Sequence, residues 1–178
     1  MTIDTALAEI DAKEGDIVQV STYRPTSRPI RVGAIGEKLR ASKGFIGFLP
    51  EEASQKLAAL GNKMDQMGRK TSLSYLYPDY FFDSLLRDNT AKNKNYIYTR
   101  ILSRLLFEKN PSIDSIVYHS VASFGSHNIA FPSKKADELL GLENTILIKI
   151  KKKYDYGLYD IELLKEPKEI LNNGDIVW

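Results

Sequence analysis

The sequence predicts an α+β domain, a mixed or antiparallel sheet core with several helices. Three observations predict it. β-Branched runs lie toward both ends, at residues 17–23 and 145–150; the middle of the chain repeats apolar residues at helical spacing; and Gly or Pro breaks the runs apart at Gly15, Gly61, Pro111 and Gly141. A chain of 178 residues with 43% hydrophobic and 27% charged residues is ordinary for one globular domain, and long enough to bury a core.

Taken in order, Asp4 or Thr5 can cap a short helix that ends near Glu9, because a side-chain oxygen there accepts from the free amides of the first turn. Residues 17–23 then form a strand, and a second strand follows at 30–35. Pro25 and Pro29 place the connection between them in an extended loop or at a sheet edge. Pro50, Glu51 and Glu52 suit a helix start, with Gly61 as its stop. Residues 62–74 carry no clear period and read as a loop or weak helix. From Pro78 to Arg87, Tyr80, Phe81, Phe82, Leu85 and Leu86 make so wide an apolar face that the helix is expected to be buried around most of its circumference. The clearest helix spans 95–108, where Ile97, Ile101 and Leu105 recur at four-residue spacing before Pro111. Two short strands, 115–118 and 128–131, flank a segment rich in Ser and Gly. A helix from Pro132 or Ser133 to Leu140 follows, and then two strands, 145–150 and 158–164, turn about Asp155-Tyr156-Gly157. Residues 166–178 form a tail after a domain of residues 1–165.

Composition sets limits on partners. Twenty-five basic and 23 acidic residues leave a net charge of +2, too balanced to mark a nucleic-acid footprint. Without cysteine there is no disulfide, thiolate metal site or cysteine nucleophile. The absence of a long apolar run or a basic-apolar leader argues against a membrane span, so cytoplasm is the expected location. Lys149, Lys151, Lys152 and Lys153, with Tyr154, Tyr156 and Tyr159, could track a nucleic-acid backbone; a solvated strand face or a protected sheet edge is the simpler account and the one expected. Gly33-Ala-Ile-Gly36 lacks the spacing of a dinucleotide fingerprint.

The stretch Ile116-Val-Tyr118-His119-Ser120, followed by Asn128-Ile-Ala-Phe131, resembles the closing signature of the RES domain family, and Thr5-Ala-Leu-Ala-Glu9-Ile10 resembles its glutamate-bearing segment. Members of that family are named for Arg, Glu and Ser, have an ADP-ribosyltransferase-like fold, and act mostly as toxins that consume NAD. The resemblance implies that Glu9 and Ser120 are catalytic, that Tyr118, Ser120 and Asn128 contact the dinucleotide, and that a cognate antitoxin protein covers the pocket. NAD would be a substrate, and no cofactor is implied. The family's Gly-Arg-Trp-like segment and Tyr precede its Glu, whereas only eight residues precede Glu9. Weak NAD binding, or a catalytically inactive module kept for interaction, is therefore expected as the alternative, together with an unpaired sheet edge that favours homo-oligomers.

Each residue also has a simpler reading. Glu9 can be a solvated helix-end glutamate, Ser120 a turn former and Asn128 a residue bonded to its own backbone. Ser120 lacks the flanking glycines of a nucleophile elbow. His119 and His127 could meet across the turn, but two ligands without cysteine or a carboxylate pair do not make a metal site, and none is expected. The family does not usually carry a histidine at the position of His119.

Overall fold

A computed structural model describes residues 2–26, 28–45, 47–88, 97–123, 125–171 and 174–178. Its elements in chain order are α1 (Ile3–Glu9), β1 (Ile17–Pro25), β2 (Val32–Ala34), α2 (Glu37–Ser42), α3 (Glu51–Gln66), α4 (Arg69–Leu86) and α5 (Ile97–Lys109). These are followed by β3 (Ser115–His119), β4 (His127–Ala130), α6 (Ser133–Leu139), β5 (Leu140–Lys153), β6 (Tyr159–Lys165), β7 (Glu169–Ile170) and β8 (Ile176–Val177). The chain is α+β, as expected. It divides into two compact units: the first holds Met1–Ile30, Ala122–Ser126 and Phe131–Trp178, the second Arg31–Val121 and His127–Ala130.

The first unit is built on an antiparallel sheet in the order β1-β5-β6. Its core is apolar: Leu7 and Ala12 meet Ile148 and Ile150, with Val18, Val20, Ile146 and Ile161 around them. Period-two alternation along β5 sends Ile148 and Ile150 inward and leaves Lys149 and Lys151 exposed. β5 is the middle strand, so its lysines do not guard an edge. They are engaged locally instead, Lys153 with Asp11 at 2.9 Å and Lys151 with Glu162 at 3.9 Å. β5 and β6 pair about the expected turn, where Tyr156 takes φ 63° and is almost fully exposed. The short pair β7–β8 lies within residues 166–178. The cap of α1 is Thr2, whose hydroxyl accepts from Thr5 N–H at 3.3 Å, rather than Asp4 or Thr5.

In the second unit β2 runs parallel to β3, and β3 pairs antiparallel with β4. Several helix boundaries differ from expectation. Gly61 does not stop α3 but is buried inside it, where a Cβ would sit 3.0 Å from that of Ser42; close approach of α2 outweighs the propensity penalty of glycine. Residues 62–74 are helical on either side of a break at Met67-Gly68, with Gly68 at φ 108°. Pro78 lies inside α4 rather than starting it. The expected burial of that helix is overturned: Tyr77, Tyr80 and Phe81 are exposed while Asp79 and Asp83 are buried. On α5, too, the Ile97, Ile101 and Leu105 row faces outward and Leu102 inward. The expected helix start at Asn95, together with Phe124 and the Asn172-Asn173 turn, lies outside the described residues. No helix among those described is long and apolar enough to cross a membrane.

Candidate functional site

The most densely charged interior of the second unit forms at the end of β3. Ser115, Ile116, Val117 and His119 are all buried, so this strand is covered on both faces and its last residue is drawn into the interior. The β3–β4 register sets Tyr118 opposite Asn128 and His119 opposite His127. The two histidines are therefore direct cross-strand neighbours, and the Phe48 ring lies 5.1 Å from one and 5.3 Å from the other, centroid to centroid.

His119 is held between two carboxyl groups. Its Nε2 is 3.1 Å from Glu37 Oε1 and its Nδ1 is 3.3 Å from Asp83 Oδ1. Arg87, the residue just past the C-terminal end of α4, reaches Asp83 Oδ2 at 3.4 Å. Asp79, one turn back, accepts from the backbone N–H of Gly36 at 3.1 Å and of Lys38 at 2.9 Å, so its carboxylate fixes the start of α2 and with it Glu37. Two glycines make room. Gly36 stands at φ +84°, and a Cβ there would come within 2.6 Å of Asp83 Oδ1; at Gly47 a Cβ would fall on the Glu37 carboxyl. Both positions exclude a side chain for reasons of space, and Gly36 for its backbone as well.

These contacts divide the titration of the cluster. Hydrogen bonds donated to Asp83 and then to Glu37 hold the His119 imidazolium above its ordinary range, against the opposing effect of burial. Burial pushes Asp83 up, but His119 and Arg87 outweigh it and the net shift is downward. Burial also pushes Asp79 up, and here it prevails over the two backbone amides. His127 moves the other way from His119: burial lowers it, and the charge of His119 lowers it further. Adjacent histidines are thus set toward opposite protonation states, an arrangement that suits proton exchange or fixed-charge orientation of a polar group.

Of the residues singled out from sequence, Tyr118, Ser120 and Asn128 lie in the second unit, Tyr118 and Asn128 as a cross-strand pair and Ser120 buried just beyond His119. Glu9 is the last residue of α1, half-buried, in the first unit. There Thr5, fully buried on the same helix, donates to Ser126 Oγ at 3.0 Å, which stands 3.1 Å from Ser123 Oγ. Sequence reasoning missed Glu37, Asp79, Asp83 and Arg87. The available signal was the four-residue spacing of Asp79, Asp83 and Arg87, a polar row on one face of a helix. No group of three His, Cys, Asp or Glu arranged to hold a metal ion occurs among the described residues.

Comparison with protein-family models, curated proteins and solved structures finds no match.

Proposed function

We propose that the chain is a RES-domain protein of ADP-ribosyltransferase-like type, working in the cytoplasm on NAD. In this reading the bond between nicotinamide and ribose breaks, nicotinamide leaves with the bonding electron pair, and water, phosphate or a protein group adds to the ribose carbon. Glu9 would hydrogen-bond the ribose hydroxyls and stabilise the oxocarbenium-like charge, while Ser120, Tyr118 and Asn128 orient the dinucleotide. A cognate antitoxin is the partner this implies. The observation that supports it is the β3–β4 pairing, in which the resembling residues fall on two paired strands with Tyr118 opposite Asn128 and Ser120 following directly. The test is to incubate the purified chain with NAD and follow nicotinamide release. Loss of NAD that falls about 100-fold or more in Glu9→Ala and Ser120→Ala is the expected result; loss unaffected by both changes would remove these residues from the reaction.

A second reading keeps the fold without the chemistry, as a binding or interaction module. It is favoured by the burial of Ser120, which is 6% exposed and offers a ligand little surface. Calorimetry separates the two, because the module reading requires that NAD give no binding heat and that Glu9→Ala change nothing.

A further inference from the structure

β1 leaves one side of the first sheet open. In the order β1-β5-β6 it is an outer strand of nine residues, and its hydrogen-bond phase follows from its start. Gly15, at φ 93°, donates to the Ile150 carbonyl and Ile150 donates to that of Asp16, each at 2.9 Å, a bulge that makes Asp16 and Ile150 a hydrogen-bonded pair. Alternation along the antiparallel ladder then turns the amides and carbonyls of Val18, Val20 and Thr22 toward β5, and those of Ile17, Gln19 and Ser21 away from it. Past the register shift, Thr26 N–H donates to the Leu139 carbonyl at 3.0 Å, which places Tyr23 on the outward side as well. The outward backbone groups of these four residues have no partner among the described residues.

A long edge strand ordinarily carries a guard against pairing. β6, the other edge of the same sheet, has Asp160, Glu162 and Lys165, breaks register twice against β5, and gives its first amide to Asp4 Oδ1 at 3.2 Å. The outer strands of the second unit, β2 and β4, are only three and four residues long. β1 has none of these protections, since no charge and no proline occurs from Ile17 to Tyr23. Ile17 and Tyr23, at the two ends of that run and on one face of the strand, are 61% and 58% exposed.

We infer that β1 pairs antiparallel with β1 of a second copy of this chain about a twofold axis at Val20, joining two three-stranded sheets into one. In that register every outward residue meets an outward residue: Ile17 faces Tyr23 of the second copy and Gln19 faces its Ser21, with the reverse pairs generated by symmetry. The two exposed apolar side chains thereby cover each other, as an aromatic and β-branched pair of the kind that stabilises sheets. Val20 meets Val20 on the face that packs against the core, and beyond the run Asp16 falls opposite Arg24, so no like charges are opposed. Other extended segments gain the same backbone bonds; a copy of β1 adds the match of side chains. The guarded edge at β6 closes the assembly at two copies. The inference does not depend on the NAD reading.

Strand pairing alone buries less than a standard interface, so the experiment is sedimentation of the full chain from about 10 μM to about 1 mM. A monomer–dimer equilibrium is the expected result. Gln19→Pro deletes an N–H that the chain's own sheet does not use and should abolish the dimer, and Tyr23→Ala should weaken it at least tenfold, both with circular dichroism unchanged. The chain has no cysteine, so single cysteines report the register. Gln19→Cys mixed with Ser21→Cys should form a disulfide at least tenfold faster than either variant alone, because facing Cα atoms of a hydrogen-bonded pair are about 5.5 Å apart and diagonal ones about 7 to 8 Å. Thr145, which bonds both side chains, keeps one of them in each variant. A monomer at every concentration, growth beyond two copies, or a dimer indifferent to both Gln19→Pro and Tyr23→Ala overturns the inference. So does a disulfide that forms no faster in the mixture than in either variant alone.

Discussion

The two units of this chain are held together by different physics. At the centre of the first are Leu7, Ala12, Ile148 and Ile150, aliphatic side chains whose contribution scales with the area they remove from water. At the centre of the second, Ile116 and Val117 share the interior with His119, Glu37, Asp79 and Asp83. Buried charges repay their desolvation only through close geometry, and often do so no better than apolar side chains of the same size would. An aliphatic core therefore tolerates small shifts. The charged one requires its partners at about 3 Å and its glycines in place, which suits a region kept for position and chemistry as well as stability.

The sharpest way to break this contrast is to remove the central charge. His119→Ala removes the imidazole that stands between Glu37 and Asp83 and leaves Asp83 with Arg87, and should cost about 3 to 5 kcal/mol by denaturant unfolding. Adding Glu37→Gln to that variant should recover part of the loss, because an amide is cheaper to bury than a carboxylate that has lost its imidazolium. A His119→Ala cost below that of an exposed substitution would mean the cluster is not a buried ion set. In the first unit Ile148→Ala is the counterpart, expected to cost about 2 to 5 kcal/mol with no partner able to restore it. Gly36→Ala comes next, at about 1 to 3 kcal/mol, since it strains a residue at φ +84° and crowds Asp83.

Acidity should separate the units as well. His119 has its folded pKa above the unfolded value of 6.5, so its stabilisation is complete below that value and is lost as pH rises through the folded pKa. Asp83 has its folded pKa below 3.8, so its stabilisation is present above that value and is lost as pH falls through the folded pKa. Asp79 is raised and opposes Asp83 on the acid side, which leaves the alkaline side as the clearer readout. Hydrogen exchange of β3 amides should therefore accelerate as pH rises past neutrality, after correction for intrinsic rates, while that of the central β5 amides does not. The same acceleration in His119→Gln would assign the effect to another group.

How much of this was legible in the sequence follows the same division. The strands of the first unit declare themselves, because β-branched alternation at residues 145–150 is a local consequence of one buried face. The hairpin that sets His119 opposite His127 was readable from its turn residues. The partners of His119 were not, because Glu37 and Asp83 lie far from it in sequence and only the fold brings them together. Nor was the orientation of α4. Its aromatic residues read as the buried face, yet its carboxylates were drawn inward by the amides of α2 and the imidazole of His119, interactions that no hydrophobic period records. Gly61 and Pro78 misled for a related reason: packing against α2 favours the first inside a helix, and a helix extending on both sides carries the second.

The smallest effect tests whether burial, rather than charge pairing itself, sets the second unit apart. Lys56 and Glu52 on α3 stand closer together than the ions around His119, with Nζ 2.6 Å from Oε1, but their side chains are 74% and 80% exposed. At such a site water already solvates both ions, and the pair must also immobilise two long side chains, so most of the Coulombic gain is cancelled. Lys56→Gln should therefore cost no more than about 0.3 to 0.5 kcal/mol, the usual worth of a helical pair at this spacing, and the difference should vanish at about 1 M salt. His119→Gln, measured alongside it, should retain most of its cost at the same salt, since screening by mobile ions does not reach a group that is 9% exposed. Equal salt sensitivity in the two variants would show that the interior cluster is solvated like the surface pair.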